Sequence, residues 1–339
     1  MDIENQTPWA ADAMPMWTQN RTRQPVLVVK TGFRWDEQGE LHPLSQSDIV
    51  LEKAERYYND DPSSHSLQAD LDLVPFKQGF ELTLTGTAHF PRPVEMFEVA
   101  LQLIDRQEQP NWQKSLRIIG PHHWQRNLLG WLPSKTEPIA SLPLQYEYAF
   151  GGSHPDRPQK ANQKNPAGLG HHVTVGAALP QIQQLPLINK KHNKPEPAGF
   201  GPLPRHWQPR QVRQRQVNAD AAIEGYCPYP FIVDPLLYNS APKDQQFSAA
   251  PSPDLRLRLK NLDKQQPNQT VNLPNAKPEA VLSNGDKVEL NWDTLVIDSD
   301  NKQLFQLWRG VVPIALLDIY SVDLTLNDAT LAAPEEAAL

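Results

Sequence analysis

Ala280-Val281-Leu282-Ser283-Asn284-Gly285-Asp286-Lys287-Val288, continued by Leu295-Val296-Ile297-Asp298-Ser299-Asp300-Asn301-Lys302-Gln303-Leu304-Phe305-Gln306-Leu307-Trp308, is the stretch whose reading decides the fold. Asn284-Gly285 is a two-residue hairpin signal, because the tight turn needs positive φ and these residues reach it at little cost. Ser299-Asp300-Asn301 separates two apolar, β-branched runs in the same way. The C-terminal end therefore reads as a run of antiparallel hairpins.

Upstream, the same alternation recurs in Pro25-Val26-Leu27-Val28-Val29-Lys30, Leu82-Thr83-Leu84-Thr85-Gly86-Thr87-Ala88, Val99-Ala100-Leu101-Gln102-Leu103 and Leu255-Arg256-Leu257-Arg258-Leu259. These predict strands. The best helical window, Asp48 to Tyr58 capped by Ser47, lacks Glu or Gln at its third position and reads equally well as extended. No repeat of about 20 to 50 residues is visible, which argues against a solenoid or propeller.

Between Leu132 and Gln246 lie 17 of the 34 prolines and 8 of the 16 glycines. Pro removes a ladder donor and Gly weakens strand interiors, so this third is predicted to be loops. The expected fold is mainly β, an antiparallel sandwich-like scaffold with a long Pro/Gly-rich loop region and little helix. Three regions follow: 1–130, an N-terminal β region; 131–250, the loop and motif region; and 251–339, C-terminal hairpins packed with the first. The tail Ala332 to Leu339 is small and acidic and is expected to fray.

The 339 residues carry 32 Lys and Arg against 39 Asp and Glu, a net charge of −7. No basic surplus exists to neutralise a phosphate backbone, so nucleic acid is not the expected partner. Cys227 is the single cysteine and can form no internal disulfide, and Met1 to Met16 lacks the basic flank and apolar core of a secretion signal. The longest apolar stretch, Val311 to Leu317, contains Pro313 and is far short of a membrane helix. A cytoplasmic protein without membrane insertion is expected.

Catalytic patterns are weak. His122-His123, His154, His171-His172, His192 and His206 invite a metal reading, but none shows helical i, i+4 spacing or a Cys-x-x-Cys frame. Cys227, between Tyr226 and Pro228 and near Glu224, has no neighbour to stabilise a thiolate. Gly152-Ser153-His154 is no nucleophile elbow, and Gly168-Leu169-Gly170 and Gly199-Phe200-Gly201 complete no nucleotide loop. No catalytic residue, metal or cofactor is expected. The alternative is a hydrolase of carbohydrate or peptidoglycan using Glu147, Asp244 and a loop histidine.

The 9 tryptophans suggest contact surfaces, and Trp207-Gln208-Pro209-Arg210 is the segment best suited to one, since exposed Trp and Arg anchor interfaces. Tyr146, Glu147, Phe150, Phe200, Trp207, Arg210, Asp244 and Gln245 are the partner-binding candidates. Gly151, Gly152, Asn165, Pro166, Gly168, Gly170, Gly199, Gly201, Pro202, Asn239 and Pro242 are the residues expected to fix the loops. The competing reading has the tryptophans filling a β-core and the motifs pinning the fold, so that changes at Gly151, Asn165 or Gly201 lower stability.

An ordered series of short motifs runs over most of the chain: Val28-Val29-Lys30-Thr31-Gly32-Phe33, Asp70-Leu71-Asp72-Leu73-Val74-Pro75-Phe76-Lys77, Gly120-Pro121-His122-His123-Trp124, Leu142 to Gly152, Asn165 to Gly170, Pro197 to Pro202, Asn239 to Gln245, Asp293 to Asp298, and Trp308-Arg309-Gly310. In these the sequence resembles the bacterial family known as domain of unknown function 2169, encoded beside type VI secretion genes. The resemblance implies a cytosolic adaptor or chaperone that binds a toxic effector and helps load it on the valine-glycine-repeat spike protein. It also implies a Gly-Asp-Glu type turn after Asp244-Gln245, where this chain reads Phe247-Ser248-Ala249-Ala250-Pro251-Ser252-Pro253-Asp254.

Overall fold

The computed structural model describes residues 3–17, 23–128, 130–154, 156–214, 234, 236–313 and 324–328. Cys227 with its neighbours and the Ala332 to Leu339 tail lie outside the described residues. The chain is β-rich, and the stretches predicted as strands lie in strands, the Leu82 to Ala88 run being divided between two at Gly86.

The larger sheet orders its strands Gln246–Phe247, Phe80–Thr85, Asn291–Asp298, Gln303–Val311, Arg23–Trp35 and Ala10–Trp17, with Leu41–Pro43 also paired to Arg23–Trp35. The hairpin across Ser299-Asp300-Asn301 sits at its centre, antiparallel, with Ile297 opposite Leu304. Asn284-Gly285 turns between Pro278–Leu282 and Lys287–Val288, again antiparallel. Phe80–Thr85 pairs in parallel with Asn291–Asp298, Leu82 opposite Leu295. No local signal could announce that pairing, since about two hundred residues separate the partners and parallel strands need long crossovers.

A second sheet has the order Ile182–Gln183, Pro110–Ile119, Met96–Ile104, Arg256–Lys260 and Asn268–Asn272. Alternation decides what the two sheets bury between them. Leu82, Leu84, Leu295, Ile297 and Leu304 from the first meet Val99, Leu101, Leu103, Leu116, Ile118, Leu257 and Leu259 from the second in one core. This is the sandwich-like arrangement. A smaller sheet of Ile3–Asn5, Leu324–Asp328, Pro278–Leu282 and Lys287–Val288 builds a second core with Leu27 and Val29.

Gly86 (φ +149°) breaks the run of strand residues, so Phe80–Thr85 stays in the large sheet while Thr87–Val94 leaves to pair with Ile139–Pro143. The Asp48 to Tyr58 window takes its extended option: a 3-10 turn at Gln46–Asp48 precedes irregular backbone and the short strand Arg56–Tyr57. The Pro/Gly-rich third is irregular as predicted, with two-residue strands and the seven-residue helix Gln208–Gln214.

Candidate functional site

The aromatic residues of the central motifs are inside the molecule. Tyr146 is 2 % exposed, Phe150 4 %, Phe200 0 % and Trp207 1 %. Tyr146 packs edge-on against Trp207 at 5.7 Å between ring centroids and donates its hydroxyl to the Gly201 carbonyl at 3.1 Å. Burial pushes its phenol pKa far up. Gly199 permits this packing, since a Cβ there would lie 2.5 Å from the Tyr146 ring. Phe150 belongs to a separate cluster with Trp124, Leu179 and Ile188. The placement of these rings on the surface is thus corrected, for a reason of packing: glycines beside an aromatic let the ring sink against the backbone.

The loop-fixing residues meet one another. Phe150–Gly151 pairs in parallel with Leu169–Gly170. Asn165 Nδ2 donates to the carbonyls of Tyr146 (2.8 Å) and Phe150 (3.1 Å), while its carbonyl accepts from Gly152 N (2.8 Å). Gly152 has φ +93°, and a Cβ there would strike the Gly168 carbonyl. Asn239 clasps the backbone of Gln78 through both ends of its amide at 3.1 Å. Pro242 accepts from Gln245 N at 2.8 Å, Pro202 is buried and Pro166 half-buried.

The polar candidates also have structural partners. Glu147 accepts from Ser66 N (2.8 Å) and Ser66 Oγ (2.6 Å). Asp244, exposed, pairs with Lys114 at 2.8 Å. Gln245, fully buried, donates to the carbonyls of Leu82 (2.7 Å) and Phe200 (2.8 Å) and accepts from Lys114 Nζ (2.7 Å). Burial pushes the Lys114 amine down in pKa, against the opposing pull of Asp244. Glu147 and Asp244 therefore serve different elements, and no observation favours the hydrolase alternative. Among the described residues, no group of three or more His, Cys, Asp or Glu is placed to hold a metal.

One octapeptide, Asp70 to Lys77, supplies three buried ions to the face of the large sheet opposite the main core. Asp70 meets Arg210 (3.2 Å), which also donates to the Leu203 carbonyl (2.7 Å). Asp72 meets Lys30 (2.7 Å), and Lys77 meets Glu81, whose carboxylate also accepts from Ser240 N (2.8 Å) and Ala241 N (3.0 Å). Arg309 joins them, paired with Asp293 and donating to the Asp72 carbonyl at 2.7 Å. Asp70 is pushed up by burial, but Arg210, Lys77 and Arg205 outweigh that and leave it below the usual carboxylate range.

Beside this network opens a cavity of about 680 Å³ at the end of the large sheet. Its walls are Phe76 and Lys77, Trp292 and Asp293, Trp308 to Val311, Pro274 to Lys277, and the loop Ser248 to Pro253 without Ser252. Trp292 and Trp308 stack there with ring centroids 6.1 Å apart. Trp308 Nε1 and Arg309 Nε are buried beneath this wall and have no acceptor among the described residues. A second cavity, of about 590 Å³, gathers Tyr146, Pro242 and Asp244 with Lys114, Leu203 and Pro209. The first cavity brings together residues the partner-binding candidates omitted. Its walls come from motifs 230 residues apart in sequence, and its loop is the one that departs from the family turn; that departure was the one signal for it.

These features define a β-sandwich-like protein whose motifs build a charged, tightly packed frame around an open cavity. The chain belongs to the family described as "Uncharacterized protein conserved in bacteria (DUF2169)", whose model matches residues 20–309. No curated protein and no solved structure gives a match.

Proposed function

We propose that this chain is a cytoplasmic, non-enzymatic adaptor of a type VI secretion system, which binds a toxic effector and helps load it on the valine-glycine-repeat spike protein. The secretion role comes from the family resemblance of the ordered motifs. The observation that supports a binding role is the cavity of about 680 Å³, with fixed aromatic walls at Phe76, Trp292 and Trp308 and a loop from Ser248 to Pro253 at its mouth. Fixed walls lose little entropy on binding, and a loop outside the common pattern lets one scaffold suit a particular effector. Aromatic rings suit a polypeptide, which brings apolar side chains to such a wall.

The test is co-purification with the product of a neighbouring effector gene. Ala249 is exposed at the cavity mouth, so Ala249→Trp is expected to block entry while leaving the melting temperature unchanged. Recovery of the effector should fall about tenfold or more. Undiminished recovery with the folded variant rejects the cavity as the site, and failure of the unaltered chain to retain any neighbouring gene product rejects the adaptor role.

A further inference from the structure

Between Arg157 and Pro195 the chain carries six of its 32 basic residues and none of its 39 acidic ones. The tertiary structure brings the two ends of this segment together. Lys164 pairs with Glu196, which lays the 160–164 turn beside residues 194–196. His171 lies against the Lys160 backbone and within reach of the Lys194 charge; burial first, and Lys194 second, hold its imidazole below the ordinary value. His154 and His172 touch, ring centroids 3.8 Å apart. Arg157, Lys160, Lys190, Lys191 and Lys194 are exposed and hold no ion pair among the described residues.

On a chain of net charge −7, unpaired cations concentrated in this way create a local positive field. Two aliphatic side chains of the same segment stand in solvent, Val175 at 67 % and Leu185 at 64 %. We propose that this face docks an acidic, leucine-bearing segment of a partner polypeptide, the cations meeting its carboxylates and Val175 and Leu185 meeting its aliphatic side chains. The proposal rests on the adaptor reading only for the partner's being a protein. A polynucleotide fits less well, since its phosphates would cover neither aliphatic side chain.

The test measures fluorescence anisotropy of a dye-labelled synthetic peptide of alternating Glu and Leu, titrated with the full chain and with Lys190→Glu/Lys191→Glu/Lys194→Glu. These side chains are exposed and make no ion pair among the described residues, so the variant is expected to keep its melting temperature. Peptide binding is expected to weaken about tenfold in the variant and to fall as salt rises, since exposed charges are screened over about 10 Å at 0.1 M salt. Equal binding by both proteins, or none by either, overturns the proposal. Tighter binding of an oligothymidylate of equal charge assigns the face to nucleic acid instead, and a dimer seen by ultracentrifugation that the variant abolishes assigns it to a second copy of the chain. Effector co-purification is scored separately: its survival in the variant leaves the adaptor reading standing whichever way the peptide titration falls.

Discussion

Gly199 and Gly201 sit two residues apart in one motif and have opposite tolerances. A Cβ at Gly199 overlaps the Tyr146 ring, whereas at Gly201 the nearest atom is the Leu84 carbonyl oxygen at 3.7 Å. Gly199→Ala is expected to cost about 1–3 kcal/mol as the ring is forced off its packing, and Gly201→Ala to stay within about 0.5 kcal/mol. Urea unfolding of the two variants checks this, and it reverses the sequence-based expectation that Gly201 is intolerant. Asp70 makes a second residue-scale prediction. Its folded pKa is lowered, so between that value and the unfolded value of about 3.9 the unfolded chain binds more protons. The stabilisation from the Arg210 pair is therefore full above about pH 3.9 and is lost as pH falls through the folded value. Asp70→Asn should cost up to about 3 kcal/mol at neutral pH, because it leaves buried Arg210 with only the longer 3.7 Å contact to Glu55. That gap between the two proteins should close on acidification, as denaturant titrations across pH would record.

Among the elements, the strand Ala10–Trp17 lies at an edge of the large sheet. Edge strands offer unpaired N–H groups to other chains, and this one removes them. Pro25 turns its carbonyl to Val312 N at 2.9 Å, away from the edge, so its register partner Pro15 faces outward with no donor. The next outward amide, Ala13 N, is taken by Asp12 Oδ1 at 2.8 Å. Asp12→Ala/Pro15→Val restores both donors and is expected to increase self-association, read as growing light scattering on concentration. A double variant as monodisperse as the parent would show that the edge needs no such guard.

At the scale of the whole molecule, the three regions read from composition share their sheets. The larger sheet takes strands from before residue 130, from Gln246–Phe247 and from the C-terminal hairpins, and the second sheet does the same through Ile182–Gln183 and Arg256–Lys260. Local features are legible in the sequence. Asn284-Gly285 and Ser299-Asp300-Asn301 are turns because a turn is a property of a few adjacent residues, and Leu82, Leu84, Leu257 and Leu259 point inward because a strand's period is two. Trp207, Phe200 and Tyr146 were visible as important but not as buried, because burial depends on what the rest of the chain places over them. The sequence by itself determined the strands, their turns and the loop-rich third, all of which follow from backbone preference and periodicity. Only the tertiary structure decided that Phe80–Thr85 lies parallel to Asn291–Asp298, that Asp70 to Lys77 supplies three buried charges, and that Phe76 faces the cavity with Trp292 and Trp308. Those are meetings between distant residues, settled by which apolar faces and opposite charges can be satisfied together.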